Sequence, residues 1–303
     1  NRLSRIIPIA GTITIGVLLT RHIDWSSAMD LLTTIDPLIL ALSCALALSE
    51  ELLVGPIKWR WVVASVGLKL RFSEVLLIRM GSQPIRSVAP LKSGELASVM
   101  YLVRVHQMDT ATATSTVLFE KAVNLWATIA WMIAGLIFLQ SFWFSPVLLL
   151  WMTLPFIRGP WSSLSLYLRD SFGRTGAFGA GLLEAFLSLP SSALMLQLPM
   201  AMLFTGLEVF NAWLLLTALG VDLPFAAVML VIPLSFIMNN IPVTLLGIGM
   251  RESVMVVGLS AYAMAPTLLA GGVALSLIEY VLPTLVGLLF LKSFLNRCVT
   301  KPS

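Results

Sequence analysis

Charged side chains are scarce in this sequence, and several of them fall in three short stretches bordered by apolar runs. APLKSGELASV (89–99) carries Lys92 and Glu95, with Arg86 just before it. LFEKAVN (118–124) carries Glu120, Lys121 and Asn124. NNIPVTLLGIGMRE (239–252) ends on Arg251 and Glu252, and Glu279 stands alone in the later run GGVALSLIEYVL. Each charge at the centre of a bilayer costs about 2.5–3.5 kcal/mol on insertion scales, so such a grouping calls for ion pairing or a polar cavity. Two of the stretches also hold helix breakers: Pro90 and Gly94, then Pro242, Gly247 and Gly249. Proline ends a half-helix and restricts the residue before it. Glycine allows the tight turn that follows, and a restarting helix offers unpaired N–H groups to an anion.

The chemistry this implies is recognition of an anionic group at membrane depth. Arg86, Lys92 and Arg251 are candidates to hold it. Glu95 and Glu252 would steady those cations or meet an amine, with Glu120, Lys121 and Glu279 lining the same cavity. The competing reading is structural: Arg251 pairs with Glu252, or with Glu95 across an interface, and locks the fold. Arg79, Glu208, Glu50 and Glu51 are weaker candidates, Arg79 facing a wet cavity or snorkelling to the interface. Other chemistries lack their residues. There is no GxxxxGK[ST] phosphate loop, no HExxH and no GxSG stretch. The two cysteines and two histidines (His22 and His106, both expected in loops) suggest neither a disulfide framework nor a metal site. No catalytic residue, metal or other cofactor is expected.

The elements that must position these residues are helices. The chain has 303 residues, 58% hydrophobic and 11% charged, with a mean hydropathy of +0.94. Soluble domains carry about 25% charged residues. Several apolar runs exceed the roughly 18 residues that mark a membrane helix, and no period-two alternation suggests a β-barrel. Lys and Arg group at Arg2 and Arg5, at Lys58, Arg60, Lys69 and Arg71, at Arg158, Arg169 and Arg174, and in the tail at Lys292, Arg297 and Lys301. The positive-inside rule puts all four groups in the cytoplasm. Crossings at 6–20, 38–57, 111–140, 144–157, 191–219 and 265–291 satisfy that parity, with both termini inside. An interfacial helix fits within 160–188. The regions 73–105 and 224–262 must then enter and leave by one face, as re-entrant hairpins. The nine tryptophans are expected mainly as interfacial anchors.

GLKLRFSEVLLI (67–78) matches GVDLPFAAVMLV (220–231) at a constant offset of 153 residues. Each copy leads through a proline, a glycine and a glutamate to a long helix containing a further glutamate, Glu120 or Glu279. The expected fold is therefore an all-α polytopic membrane protein. It has about six transmembrane helices plus two re-entrant helical hairpins, arranged as inverted repeats over about 38–140 and 191–291 of a single domain spanning 1–303. Inverted repeats with broken helices are a transporter architecture, with the substrate site near the midplane.

APLKSGELASVMYLVR, TSTVLFEKAVNLW and NNIPVTLLGIGMRESV, in that order, resemble the transmembrane domain of lysylphosphatidylglycerol synthases, which also occurs as stand-alone flippase-like proteins. Pro90, Gly94, Glu95, Glu120, Pro242, Gly247, Gly249, Arg251 and Glu252 stand at the positions of its pattern. Lys121 stands where arginine is usual, and Asn124 where an acid is usual. The resemblance implies translocation of an anionic or polyprenyl-phosphate-linked lipid between leaflets of a prokaryotic cytoplasmic membrane. The expected activity is that of a flippase or scramblase without an ATPase, not of an enzyme. It also implies a separately encoded lipid-modifying enzyme or glycosyltransferase as a partner, since the short tail leaves no room for a synthase domain. No nucleic acid is expected. A gradient-driven small-solute transporter is the alternative, and an intramembrane enzyme a further one.

Overall fold

The computed structural model describes residues 30–31, 33–88, 94–140, 143, 145–156, 158–171, 180, 184, 191–239 and 249–299. Among these residues there is helix and no strand. Four rods are long and apolar enough to cross a membrane: Pro37–Ser65, Thr110–Leu139, Ala193–Ala218 and Ala265–Cys298.

The first rod begins where Asp36 accepts a hydrogen bond from the Leu38 N–H (2.7 Å) and Pro37 takes the first helical position, a favoured start. It runs as α1 (Pro37–Ser49), a π-turn over Glu50–Val54 and α2 (Gly55–Ser65). The rod therefore continues past the expected end at residue 57. Lys58 and Arg60, expected in a cytoplasmic loop, are helical, and Lys58 is buried. Charge counting missed this because Lys58 has partners inside the protein that remove the cost of leaving water.

Next come α3 (Phe72–Val88) and α4 (Leu96–His106), the two arms of the first hairpin, and the long α5 (Thr110–Gln140). His106 closes a helix instead of lying in a loop, and meets Glu74 at 2.9 Å. A short helix α6 (Ser145–Thr153) continues by a 3₁₀ turn to Phe156. At 1.5 Å per residue it reaches about 18 Å, short of the ~30 Å hydrocarbon core that the expected 144–157 crossing requires. Then follow α7 (Arg158–Ser171), with Leu166 and Tyr167 exposed, and the rod α8 (Ser191–Ala218). The second hairpin has arms α9 (Phe225–Asn239) and α10 (Met250–Gly258). The last rod is α11 (Ala265–Ser276), a second π-turn over Leu277–Val281 and α12 (Leu282–Val299). The crossing expected at 6–20 lies outside the described residues, as do Pro90, Lys92, Pro242 and Gly247.

Two apolar cores hold these elements. One gathers Trp59, Val62, Ile78, Tyr101, Phe119 and Trp126 from α2 to α5, joined by Leu194 and Leu198 of α8 and Phe294 of α12. The other gathers Leu215, Leu216, Val228, Ile232, Met255, Leu268 and Leu275 from α8 to α11, joined by Ala47 of α1. The shorter arms pack on rods distant in sequence. Arm α3 lies along α12, and arm α9 lies along α5. Both contacts rest on a glycine. A methyl group on Gly287 would stand 2.6 Å from the Met80 carbonyl, and one on Gly135 would stand 2.8 Å from the Ala226 carbonyl. In lipid, where hydrophobicity does not drive helices together, such close backbone approach is a main source of association.

The aligned turns at 67 and 220 have the same geometry. Gly67 and Gly220 both take positive φ. Gly67 N donates to Ala64 O and Leu68 N to Val63 O; Gly220 N donates to Thr217 O and Val221 N to Leu216 O. Each is a Schellman ending, and every atom pair is displaced by the same 153 residues. The tryptophans depart from expectation. Trp59 and Trp126 are buried, Trp126 and Trp151 each donate to the other's backbone carbonyl at 3.1 Å, and Trp131 donates to Met202 O. Trp126, Trp131 and Trp151 clamp helices to one another through their N–H groups, while Trp143 is the strongly exposed one among those described.

Candidate functional site

The charged residues form two clusters, which meet at the first π-turn. The first begins deep in the protein. Lys58 of α2 approaches Asn124 Oδ1 (2.5 Å) and Glu120 (3.6 Å), and its ammonium lies 4.6 Å from the centre of the Phe204 ring. Glu120 also accepts from Arg79 Nη1 at 2.8 Å. Arg79 reaches Glu51 at 3.8 Å, Glu51 reaches Arg86 at 4.0 Å, and Arg86 reaches Glu95 at 3.9 Å. Glu95 closes the series on Lys121 at 2.6 Å. Four cations thus share three carboxylates.

This series opens progressively. Side-chain exposure is 1% at Lys58, 8% at Arg79, 16% at Arg86, 24% at Glu95 and 42% at Lys121. Its inner members are fixed by packing: a methyl on Gly55 would sit 3.0 Å from the Arg79 guanidinium, so glycine leaves the space that group fills. Its outer end is set by the hairpin. A methyl on Gly94 would lie 2.3 Å from the Arg86 Cα, so the returning chain rests directly on the backbone of α3 and brings Glu95 to Arg86. Arg79 Nε and Arg86 Nε are buried and take no hydrogen-bond partner among the described residues.

The second cluster is closed and acidic. Gly249, with φ of +88°, starts α10, a conformation that suits glycine. Its N–H donates to Glu252 at 2.8 Å, and Ser276 Oγ donates to the other Glu252 oxygen at 2.6 Å. Glu252 is thus satisfied as a first-turn carboxylate, whereas Glu95, at the matching start of α4, makes no cap bond and serves in ion pairs instead. Arg251 is 1% exposed and contacts Glu279 of the second π-turn at 2.6 Å. Its guanidinium stands over Phe236 at 5.1 Å and Tyr280 at 5.7 Å, a cation–π geometry. Among the described residues, its Nε and Nη1 have no hydrogen-bond partner. Arg251 therefore pairs with neither Glu252 nor Glu95, the two partners suggested by sequence. Glu50, on the first π-turn, is buried, and Glu208 of α8 is half-buried.

Of the expected site residues, Arg86, Glu95, Glu120 and Lys121 come together in the first cluster, and Arg251, Glu252 and Glu279 in the second. Glu120 and Glu279, matched by the repeat, each take an arginine from a hairpin arm: Arg79 of α3 and Arg251 of α10. Lys58 was missed as a site residue, and its only trace in sequence was a lysine just past a long apolar run. Both departures from the family pattern sit in the first cluster: Asn124 receives Lys58, and Lys121 grips Glu95. Among the described residues, no group of three or more His, Cys, Asp or Glu side chains could hold a metal ion.

Apolar rods of spanning length around buried charge networks define an integral membrane protein. Residues 5–287 match the family described as Lysylphosphatidylglycerol synthase TM region, and the chain belongs to that family. Membership places it among membrane proteins linked to lipid metabolism or translocation. No curated protein matches the chain.

Proposed function

We propose that the protein moves an anionic lipid, or one carried on a polyprenyl phosphate, between the leaflets of its membrane. The observation that carries this reading is the first cluster's one-sided opening: four cations against three carboxylates, sealed at Lys58 and accessible at Lys121. A phosphate entering at that end meets Lys121 and Arg86 first, and competes with Glu95 for both. The acyl chains remain in lipid while the headgroup follows the charged series inward. In this reading the arms α3–α4 and α9–α10 are re-entrant hairpins of two inverted repeats, the rods supply the crossings, and both termini face the cytoplasm. The protein works as a translocator, not an enzyme, in a prokaryotic cytoplasmic membrane, and a separately encoded enzyme makes or consumes its lipid.

The test is native mass spectrometry of the purified protein, released from mild detergent, for retained lipid. The original should keep an anionic lipid that Arg86→Gln and Lys121→Gln lose, while Arg169→Gln on the surface keeps it. Equal retention in all three variants would remove the first cluster as the headgroup site. Transfer of fluorescent phosphatidylglycerol across proteoliposome leaflets, read by dithionite quenching, then checks that binding at this site supports movement.

A further inference from the structure

A separate set of polar contacts lies at the far end of the first hairpin. Glu74 stands in the first turn of α3 and His106 closes α4, and His106 Nε2 meets Glu74 Oε1 at 2.9 Å. The same carboxylate oxygen accepts from the Tyr101 hydroxyl at 3.2 Å, and Arg297 of α12 donates to that hydroxyl at 3.5 Å. Tyr101 is fully buried and stacks on Phe294 of α12, their ring centres 5.5 Å apart. A methyl on Gly81 would collide with the same Phe294 side chain, so α3 also rests on that ring. Helices α3, α4 and α12 thus meet around one acid, and none of these residues belongs to the headgroup series.

The two arms are joined at successive levels. Arg86 and Glu95 pair near the turn of the hairpin, the Ser82 and Ser98 hydroxyls bond midway at 3.2 Å, and Glu74–His106 fastens the far end. Of these joints the last alone contains histidine, the side chain that ordinarily changes charge between about pH 5 and 8. Both members are 20% exposed, so water reaches the pair. The other titratable or charged groups on the surrounding elements are Arg71 just before α3, Tyr101 and Arg104 on α4, and Arg297 and Cys298 at the end of α12. Arg71, Arg104 and Arg297 are exposed and keep their charge at all these pH values. Asp109, at the entry to α5, accepts from the Thr112 N–H. A proton gained by His106 turns its bond to Glu74 into a salt bridge at the carboxyl end of α4, where a cation is favoured.

We propose that Glu74 and His106 form a proton-operated latch that sets how freely the arms α3 and α4 separate. A proton from water bonds to the imidazole nitrogen that lacks one, and returns to water from the same atom. With it bound, the salt bridge draws the two arms together and, through Tyr101 and Arg297, holds them on α12. With it released, a weaker hydrogen bond remains and the arms can part. The arms carry Arg79, Arg86 and Glu95, so their parting loosens the contacts that an entering headgroup must break. Transfer is therefore slow in acid and faster as the pH rises through the ordinary range of histidine. In the topology proposed above, this end of the hairpin faces the cytoplasm with the basic tail, so the latch reads cytoplasmic pH. Its effect on transfer rests on the translocation reading, but the latch stands on its own contacts.

The experiment uses the full chain at about pH 5.5 and about pH 8, either side of histidine's usual range. Unfolding temperatures in detergent are measured for the original, His106→Gln, Glu74→Gln and the double variant, a cycle that isolates the coupling between the two side chains. That coupling should amount to about 2–4 °C in acid and about half of that or less in alkali. Glutamine keeps a hydrogen-bonding amide at both positions, so the variants should fold. A coupling equal at both pH values makes the pair a fixed structural contact and overturns the latch, as does no coupling at either. Transfer of fluorescent phosphatidylglycerol is then followed in vesicles of phosphatidylethanolamine and phosphatidylglycerol, with the same pH on both sides. The original should speed up severalfold from acid to alkaline buffer. His106→Gln should be fast in both, and His106→Lys, whose lasting charge keeps the pair closed, slow in both. An equal pH response in all three overturns the regulation while leaving lipid translocation in place. If the probe moves in none of them, the lipid reading fails and the regulation with it, and the coupling alone decides whether the latch answers to protons.

Discussion

The first and second charge clusters each tie an arginine of a short helix to a glutamate of a long rod, yet are built on opposite rules. In the first, charges are shared: Glu120 serves Lys58 and Arg79, Glu51 serves Arg79 and Arg86, and Glu95 serves Arg86 and Lys121. In the second, Arg251 is buried and, among the described residues, has one direct ion-pair partner, Glu279, with two aromatic rings beside its guanidinium. A shared network can release one member to a ligand and remain satisfied. A private pair cannot, because removal of either partner leaves a buried charge alone. The comparison assigns ligand exchange to the first cluster and rigidity to Arg251–Glu279.

The largest expected effect breaks that private pair. Arg251→Met strands Glu279 and should lower stability by about 3–5 kcal/mol, read as an earlier thermal unfolding transition in detergent. Arg251→Met with Glu279→Met should recover most of it. If the single variant unfolds like the original, the two clusters do not differ as described. Next come the glycine contacts that lock hairpin arms to rods. Gly287→Leu and Gly135→Leu force a side chain onto a neighbouring backbone and should each cost about 1–3 kcal/mol or more. Equal losses would show that the two crossed contacts are equivalent, and a loss confined to one would show that they are not.

Within the first cluster, Arg86→Gln should cost only about 1 kcal/mol or less, since Glu51 and Glu95 keep Arg79 and Lys121, while lipid retention falls. A stability loss as large as that of Arg251→Met would erase the distinction between shared and private charges. Asn124→Asp restores an acid beside Lys58 and should raise stability by roughly 1 kcal/mol through a charge-assisted bond, while lowering affinity for an anionic headgroup. The smallest effect belongs to the exposed pair Arg169–Glu184, 3.6 Å apart. Glu184→Gln should change stability by under about 0.5 kcal/mol.

Much of the frame was legible in the sequence, because hydropathy reports burial in lipid directly. Four of the expected crossings, 38–57, 111–140, 191–219 and 265–291, appear as rods, and the two pairs of shorter helices fall within one residue of the bounds 73–105 and 224–262. The match of Glu120 with Glu279 pointed to two residues that each hold an arginine. The partner of Arg251 was not legible, because it lies on a separate rod and depends on how two helices cross and rotate. Lys58 was misplaced for a related reason: the rule that assigns basic residues to loops counts charge, and a counter-charge supplied by α5 is invisible to it. The π-turns left no periodic trace, since one added residue barely disturbs an all-apolar pattern. The tryptophans read as anchors because the type favours interfaces, whereas the N–H groups of Trp126, Trp131 and Trp151 found carbonyls of neighbouring helices.

Both rods that carry a π-turn place acidic residues in it, Glu50 and Glu51 in one and Glu279 in the other. An unbroken helix of such length behaves as a stiff shaft. A rod with one wide turn has slack: the surplus residue can pass along the ladder from turn to turn without the chain unwinding. Each such step swings the side chains it passes by about 100° around the axis. The rods are thereby fitted with a bearing at the depth of the charges, so that one end can stay anchored in its leaflet while carboxylates at the middle change which way they face.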